Sequence, residues 1–280
     1  MISVVLPTFN RANTLMRAVE SVLNQSYKNI ELIVVDDCST DNSLELLSKI
    51  DDTRLKIVQL DENKGANFCR NLGIEISNGD YIAFQDSDDY WLPDKLIKQL
   101  SYLIDYDCDV IASDMIVIDE DNQNIMRAIS NEKKQGIVKF EDLLFENYIS
   151  TQMVLAKRNV FSIEKFNIQL SRFQDWELFL RLSKEFNFYF VEEKLLIQYI
   201  QCDSVSKNLI KGIDALKQID LLYKSDLEKN PAAYSHHNYI LGVWSKHANK
   251  DHVKYFYDSI RLKFSWQAFL KMFASIIKLY

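Results

Sequence analysis

Along the first hundred positions the apolar residues alternate between two rhythms. Residues 2–6, 30–35, 55–60 and 81–84 are short, mainly apolar runs, which predict strands. Between them Leu15, Met16, Val19, Val22 and Leu23 recur at helical spacing, as do Leu44, Leu47 and Ile50, and then Phe68, Leu72 and Ile76. Gly65 opens the last of these helices and Asn78-Gly79 stops it. Strand and helix taking turns in this way predict a parallel sheet with helices on both faces and right-handed crossovers.

Beyond Pro93 the alternation loosens. The pattern predicts a helix through Leu96, Leu100 and Leu103, a short strand at 110–112, and a hairpin of 115–118 with 125–128 around a turn at 119–124. A helix at 140–146, a strand at 152–156, a helix at 175–186 and strands at 188–191 and 196–200 follow. From about residue 206 the spacing is helical throughout, with a helix pair at 234–260. The expected fold is therefore an α/β/α sandwich on a mainly parallel, partly mixed sheet, with halves at 1–105 and 106–205 and a helical extension at 206–280.

Composition narrows the partners. A net charge of −7 and a pI near 5.2 argue against nucleic acid, whose binders carry a basic footprint. Cys38, Cys69, Cys108 and Cys202 are scattered, so neither a zinc knuckle nor a disulfide framework is expected, and a reducing cytoplasm fits. The run at 2–6 is too short for a signal peptide and is stopped by Pro7. At the other end, Trp266, Phe269, Leu270, Phe273, Ile276, Ile277 and Tyr280 share helical spacing with Arg261, Lys263, Lys271 and Lys278 and no acids. Such a helix over 261–280 suits an anionic membrane surface, and equally a stripe packed on its own core or on a second subunit. The expected location is cytoplasmic, or peripheral on the inner face of the plasma membrane.

The candidate chemistry sits where strands end. Residues 7–11, Asp36-Asp37 and residues 86–89 each follow a strand, so a parallel sheet brings them to one crevice. Asp86, Asp88 and Asp89 would repel one another unless a cation or a donor-rich ligand joins them, although a lone Asp-Ser-Asp can also be a solvated turn. Asp86 and Asp88 project to the same side of an extended segment about 7 Å apart.

Four segments share a family likeness: Val4-Val5-Leu6-Pro7-Thr8-Phe9-Asn10-Arg11; Leu32-Ile33-Val34-Val35-Asp36-Asp37-Cys38-Ser39-Thr40-Asp41; Gly79-Asp80-Tyr81-Ile82-Ala83-Phe84-Gln85-Asp86-Ser87-Asp88-Asp89; and Gln174-Asp175-Trp176-Glu177-Leu178-Phe179-Leu180-Arg181. In order and approximate spacing they resemble the family 2 glycosyltransferases of the GT-A fold. The resemblance is strong to about residue 105, recognisable to about 205 and absent beyond. It implies an inverting transferase for a hexose or N-acetylhexosamine, moved from a nucleoside-diphosphate sugar, UDP-sugar favoured, to an acceptor hydroxyl. The acceptor would be a growing envelope glycan such as lipopolysaccharide or capsule, carried on a lipid. Residues 1–105 would then bind the nucleotide sugar and 106–205 the acceptor.

Carried over residue by residue, the resemblance places Pro7, Thr8, Asn10 and Arg11 along the nucleotide. Asp37, and with it Asp36, would accept from the base edge, unless Asp36 caps the next turn. Cys38 stands where the family has Gly. Asp88 would hold Mn2+ or Mg2+ directly; Asp86 would do so through water or meet the ribose, and Asp89 would brace the loop. Arg70 and Lys64 would offset phosphate charge, with a solvated helix face as the other reading of Arg70. Asp175 would be the general base; without the resemblance it reads as a helix cap. Trp91 and Trp176 would stack on the acceptor sugar or pack in the core. Two other readings share parts of this pattern: a non-catalytic nucleotide-sugar-binding subunit of a larger synthase, and a sugar nucleotidyltransferase, which needs a Gly-rich N-terminal loop absent before Gly65.

Overall fold

A computed structural model describes residues 1–119, 124–126, 135–200 and 208–277. The described residues form two compact units. One comprises Met1–Val138, Tyr148–Ile168 and Gln174–Gln201; the other comprises Lys139–Asn147, Gln169–Phe173 and Cys202–Tyr280.

The first unit is built on one sheet. Its strands are β1 (Ile2–Thr8), β2 (Ile30–Asp36), β3 (Leu55–Gln59), β4 (Tyr81–Phe84), β5 (Tyr90–Trp91), β6 (Val110–Asp119), β7 (Asn124–Met126), β8 (Gly136–Val138), β9 (Val154–Lys157) and β10 (Phe188–Ile200). The order is β3-β2-β1-β4-β9-β6-β10-β5, with β7 on β6 and β8 on β10. β1 runs parallel to both β2 and β4, and β2 parallel to β3. Every residue of β1 and β2 is buried, which is why both are mainly apolar rather than alternating; their inner polar residues, Ser3 and Glu31, bond to each other. β9 is antiparallel to β4 and β6, as β5 and β8 are to β10 and β7 is to β6, and these reversals make the sheet mixed.

Helices α1 (Leu15–Leu23), α2 (Ser43–Leu47), α3 (Ala66–Ile76) and α4 (Lys95–Asp105) make the crossovers of the first half. α3 packs closely on β1 because Gly73 has no side chain: a Cβ there would come within 2.3 Å of Val5 Cγ1. In the second half the predicted pieces merge. The strands expected at 110–112 and 115–118 are one strand, β6, and those at 188–191 and 196–200 are one strand, β10. β6 and β10 pair in parallel along their whole length, with irregular register around Lys194 that absorbs the extra residues Glu192, Glu193 and Leu195. That bulge is what broke the apolar pattern of β10. The predicted hairpin exists, with Ile118 opposite Ile125.

The second unit contains α5 (Phe140–Phe145), and its helical part contains α8 (Leu209–Leu222), α9 (Lys224–Lys229), α10 (Pro231–His247), α11 (Val253–Leu262) and α12 (Trp266–Ile277). The intervening α6 (Val160–Ile163) and α7 (Gln174–Leu182) belong to the sheet unit. His237, buried on α10, touches Asp220 through Nδ1 at 2.6 Å and the Leu144 carbonyl through Nε2 at 2.7 Å, so this histidine ties α8 and α5 to α10. Cys38, Cys69 and Cys108 are free thiols; Cys202 lies outside the described residues. Burial, with the Asp37 charge behind it, pushes the Cys69 thiol up to about 12, which removes it as a nucleophile at neutral pH.

Candidate active site

Three strand ends build one half of the site. After β1 the chain turns through Asn10 in the left-handed region (φ 51°), and the Asn10 side-chain oxygen accepts from the backbone N–H of Thr40 at 2.8 Å and of Asp41 at 3.3 Å. Ser43 Oγ in turn accepts from Arg11 N at 3.1 Å. These bonds clasp the loop after β1 to the loop after β2. Pro7 and Thr8 are buried at the end of β1, beneath this clasp.

The acid pair after β2 divides its work. Asp37 accepts from Lys64 N at 2.7 Å and Gly65 N at 2.8 Å, one N–H on each carboxylate oxygen, and so fixes the turn that Gly65 makes at φ 86° before α3. Asp36 is fully buried; its Oδ2 accepts from Ser39 N at 2.9 Å, while its Oδ1 has no hydrogen-bond partner among the described residues. Cys38 follows at φ 64°, the left-handed conformation that favours glycine. An L-residue there costs about 1–2 kcal/mol, of which glycine's extra chain entropy returns about 0.5–1 kcal/mol. Cys38→Gly is therefore expected to raise the melting temperature by about 1–2 °C, measured by thermal unfolding; a fall would mean that the thiol's contacts matter more than the backbone.

The acidic cluster follows β4. Arg70, on α3, donates from Nη2 to Asp86 Oδ1 at 2.9 Å, and its guanidinium lies 5.6 Å from the Phe166 ring. Arg11 Nη2 stands 3.8 Å from Asp88 Oδ2. Burial and then the Asp86 charge push the Asp88 carboxyl above its ordinary value, with Arg11 opposing. Arg17, on α1, donates to the Asp88 carbonyl at 2.5 Å and stacks 3.7 Å over the Tyr199 ring. Asp89 faces the other way: its two oxygens accept from Tyr199 N at 3.0 Å and Gln152 Nε2 at 3.1 Å, so it ties the loop to β10 and to the segment before β9.

Asp175 completes the set from α7. Its Oδ1 accepts from Trp176 N at 2.8 Å, and burial raises its pKa from 3.8 to about 6; that N–H and the Arg70 charge pull it down, and the Asp86 charge pushes it up. Among the described residues Arg70 is thus the cation felt by both Asp86 and Asp175. α7 is anchored by Arg181, whose Nε and Nη2 meet the two Glu177 oxygens at 2.7 and 2.8 Å, and which also pairs with Glu164 and donates to the Lys165 carbonyl at 2.8 Å.

Of the two readings of Trp91 and Trp176, the structure favours packing in the core over stacking on a sugar. Trp91 is completely buried in β5, where its backbone N–H donates to Ser21 Oγ and its ring lies 3.9 Å below the Lys95 ammonium. Trp176 is also buried, at 3% exposure. Neither ring presents a face to an acceptor sugar, because both are consumed by core packing at the ends of short elements. The site residues that sequence reasoning passed over are Arg17, Gln152 and Tyr199, whose roles depend on contacts with distant segments. Asp114 on β6 was also missed: it is fully buried, and neither carboxylate oxygen has a hydrogen-bond partner among the described residues. A lone Asp in an apolar strand carries no pattern that would single it out.

No group of three or more His, Cys, Asp or Glu that could enclose a metal exists among the described residues. The pair Asp86 and Asp88 nonetheless fits a hard cation of the Mg2+ or Mn2+ kind. Such ions use one or two carboxylates and take their remaining oxygens from water and phosphate, and a cation would relieve the mutual repulsion that raises Asp88.

The Glycosyl transferase family 2 profile matches residues 3–168. The chain belongs to that family. It is 32% identical over 216 residues to the putative teichuronic acid biosynthesis glycosyltransferase TuaG of Bacillus subtilis, covering 76% of this chain and 84% of TuaG. It is 28% identical over 252 residues to the UDP-Glc:alpha-D-GlcNAc-diphosphoundecaprenol beta-1,3-glucosyltransferase WfgD of Escherichia coli, covering 89% and 95%. The mannosyltransferase PcManGT of Pyrobaculum calidifontis, solved with GDP-Man and Mn2+, superposes with a TM-score of 0.65 at 15% identity over all of this chain and 80% of that one. The protein is a glycosyltransferase of the GT-A fold, the class of enzyme and of fold that the four motifs implied.

Proposed function

We propose that this glycosyltransferase moves a hexose or N-acetylhexosamine from a nucleoside-diphosphate donor, UDP-sugar favoured, to a hydroxyl of a lipid-linked surface glycan, with inversion. The carrying observation is that the Arg70 charge acts on both Asp86, which it pairs with, and a half-buried Asp175 whose pKa is raised to about 6. A carboxyl poised near the working pH suits a general base. In a single displacement the acceptor oxygen attacks the anomeric carbon opposite the diphosphate, the bond to the leaving oxygen breaks, and Asp175 takes the hydroxyl proton.

Asp88, with Asp86 beside it, would hold Mn2+ or Mg2+; the ion supplies Lewis-acid stabilisation of the charge growing on the diphosphate. Arg11 and Arg70 each pair with one of these acids, and both would turn to phosphate once the carboxylates are engaged. Asp36 offers one uncommitted oxygen, and Asp37 has lone pairs beyond its two backbone bonds, so both remain fit to accept from a base edge. The donor and lipid carrier in the name of WfgD, and the Mn2+ bound with GDP-Man in PcManGT, support the choice of substrates and metal. A lipid-linked acceptor also implies work at the inner membrane face.

The test is release of nucleoside diphosphate across a panel of donors, with Mn2+ or Mg2+ and a polyprenyl-diphosphate-sugar acceptor. We expect acceptor-dependent release with a uridine donor. Tight UDP binding with no release from any donor would instead make the chain a nucleotide-sugar-binding subunit.

A further inference from the structure

Helix α12 is mounted with its large apolar side chains outward. Ala268 and Ser275 are its buried positions, whereas Trp266, Leu270, Phe273 and Ile277, spaced 4, 3 and 4 apart on one stripe, are 68, 59, 53 and 52% exposed. An amphipathic helix seated on its own core does the reverse. The small residues are what allow the seat: Ser275 Oγ donates to the Lys271 carbonyl at 2.7 Å and accepts from Lys246 Nζ, on α10, at 3.1 Å. Phe264, Trp266, Phe269 and Phe273 form a chain of ring contacts with centroids 5.3, 5.8 and 6.3 Å apart, so the outward stripe begins in an aromatic ridge.

Charge identifies the occupant. In a chain of net charge −7, residues 253–277 carry Lys254, Arg261, Lys263 and Lys271 against the single acid Asp258. Lys254, Arg261 and Lys263 are exposed, as is Tyr257 on the same turn series of α11. A second copy of the chain is a poor cover, because a two-fold contact would set these cations against their own equivalents. Twelve residues of helix span about 18 Å, too short for a bilayer core of about 30 Å, and no described helix is long and apolar enough to cross a membrane.

We propose that the exposed face of α11 and α12 docks on an anionic lipid bilayer, with Trp266, Leu270, Phe273 and Ile277 entering the headgroup–acyl boundary and Lys254, Arg261 and Lys263 meeting lipid phosphates. Aromatic and aliphatic side chains backed by Lys and Arg are what such an in-plane helix requires. The proposal goes beyond the transfer reading and is tested without donor or acceptor, so either can fail alone.

The experiment is sedimentation of the full chain with phosphatidylcholine vesicles, with and without about a third phosphatidylglycerol. We expect binding to the anionic vesicles, at least about tenfold weaker attachment to the neutral ones and in high salt, and a blue shift of tryptophan fluorescence on binding. Trp266→Ser with Phe273→Ser is expected to abolish binding while leaving the melting temperature unchanged, since both side chains are exposed. Arg261→Glu with Lys263→Glu should remove the preference for anionic lipid. Absence of vesicle binding, or binding undiminished in the Trp266→Ser and Phe273→Ser variant, overturns the proposal. A concentration-dependent dimer that the same variant dissolves would overturn it in favour of a second copy.

Discussion

Asp175→Asn is expected to lower the rate of transfer by about 10²–10⁴-fold, the usual contribution of a general base, while donor binding stays within about twofold of wild type. The amide has nearly the shape of the carboxylate and keeps an oxygen for the Trp176 N–H, so the start of α7 should not move. Single-turnover transfer and calorimetric UDP titration separate the two effects. Equal turnover would remove Asp175 as the base.

The pH dependence follows from the same burial. With the Asp175 pKa raised to about 6, wild-type kcat/KM should climb with pH through an acid limb near 6 and lose that limb in the Asn variant. The stability effect has the opposite sense. A carboxyl whose folded pKa lies above its unfolded value of 3.8 favours folding while protonated, and that contribution is lost as pH rises from about 4 through about 6. At pH 8 the ionised group costs about 3 kcal/mol, so Asp175→Asn is expected to melt several degrees higher than wild type at pH 8 and at a similar temperature at pH 4. A residue that weakens the fold and is needed for turnover is the mark of a functional group; one that merely caps α7 would melt lower when replaced.

The sequence disclosed the first half of this site better than the second because its signals there are local. β1, β2 and β4 are short apolar runs whose ends carry the acids, so Asp36, Asp37, Asp86 and Asp88 could be placed by counting to the end of a strand. Cys38 is another local signal: the family's glycine is gone, yet φ 64° shows that the turn kept its shape at some strain. What depends on contacts between distant segments was not legible. The bulge around Lys194 splits the apolar pattern of β10 into two, and only its pairing with β6 rejoins it. Arg17 reads as a solvated position on α1 until Tyr199 and the Asp88 carbonyl arrive from elsewhere. Trp91 and Trp176 show the converse ambiguity, since an aromatic residue next to a site motif looks the same whether its ring faces ligand or core.

Asp88→Asn should give the second large effect, a loss of metal-dependent donor binding and a fall in kcat/KM on the order of 10²–10³, similar to removal of a main electrostatic group from a transition state. The argument rests on the division of work among three neighbouring acids. Asp86 is held by Arg70 at 2.9 Å, whereas Arg11 stands off Asp88 at 3.8 Å, so Asp88 is the carboxylate less committed to the protein. Asp89 is fully committed, with an N–H donor on each oxygen. Asp89→Asn would set an amide NH2 against one of those donors, at a cost of about 1–3 kcal/mol that the relief of a carboxyl raised by burial and by the Asp86 and Asp88 charges offsets only in part, because both its oxygens are bonded. The two substitutions should therefore separate cleanly: Asp88→Asn folds as well as wild type and no longer responds to Mn2+ in a UDP titration, whereas Asp89→Asn melts lower and keeps its Mn2+ response while folded. If Asp88→Asn keeps that response and Asp89→Asn loses it, the metal belongs to Asp89 and the loop is braced by something else.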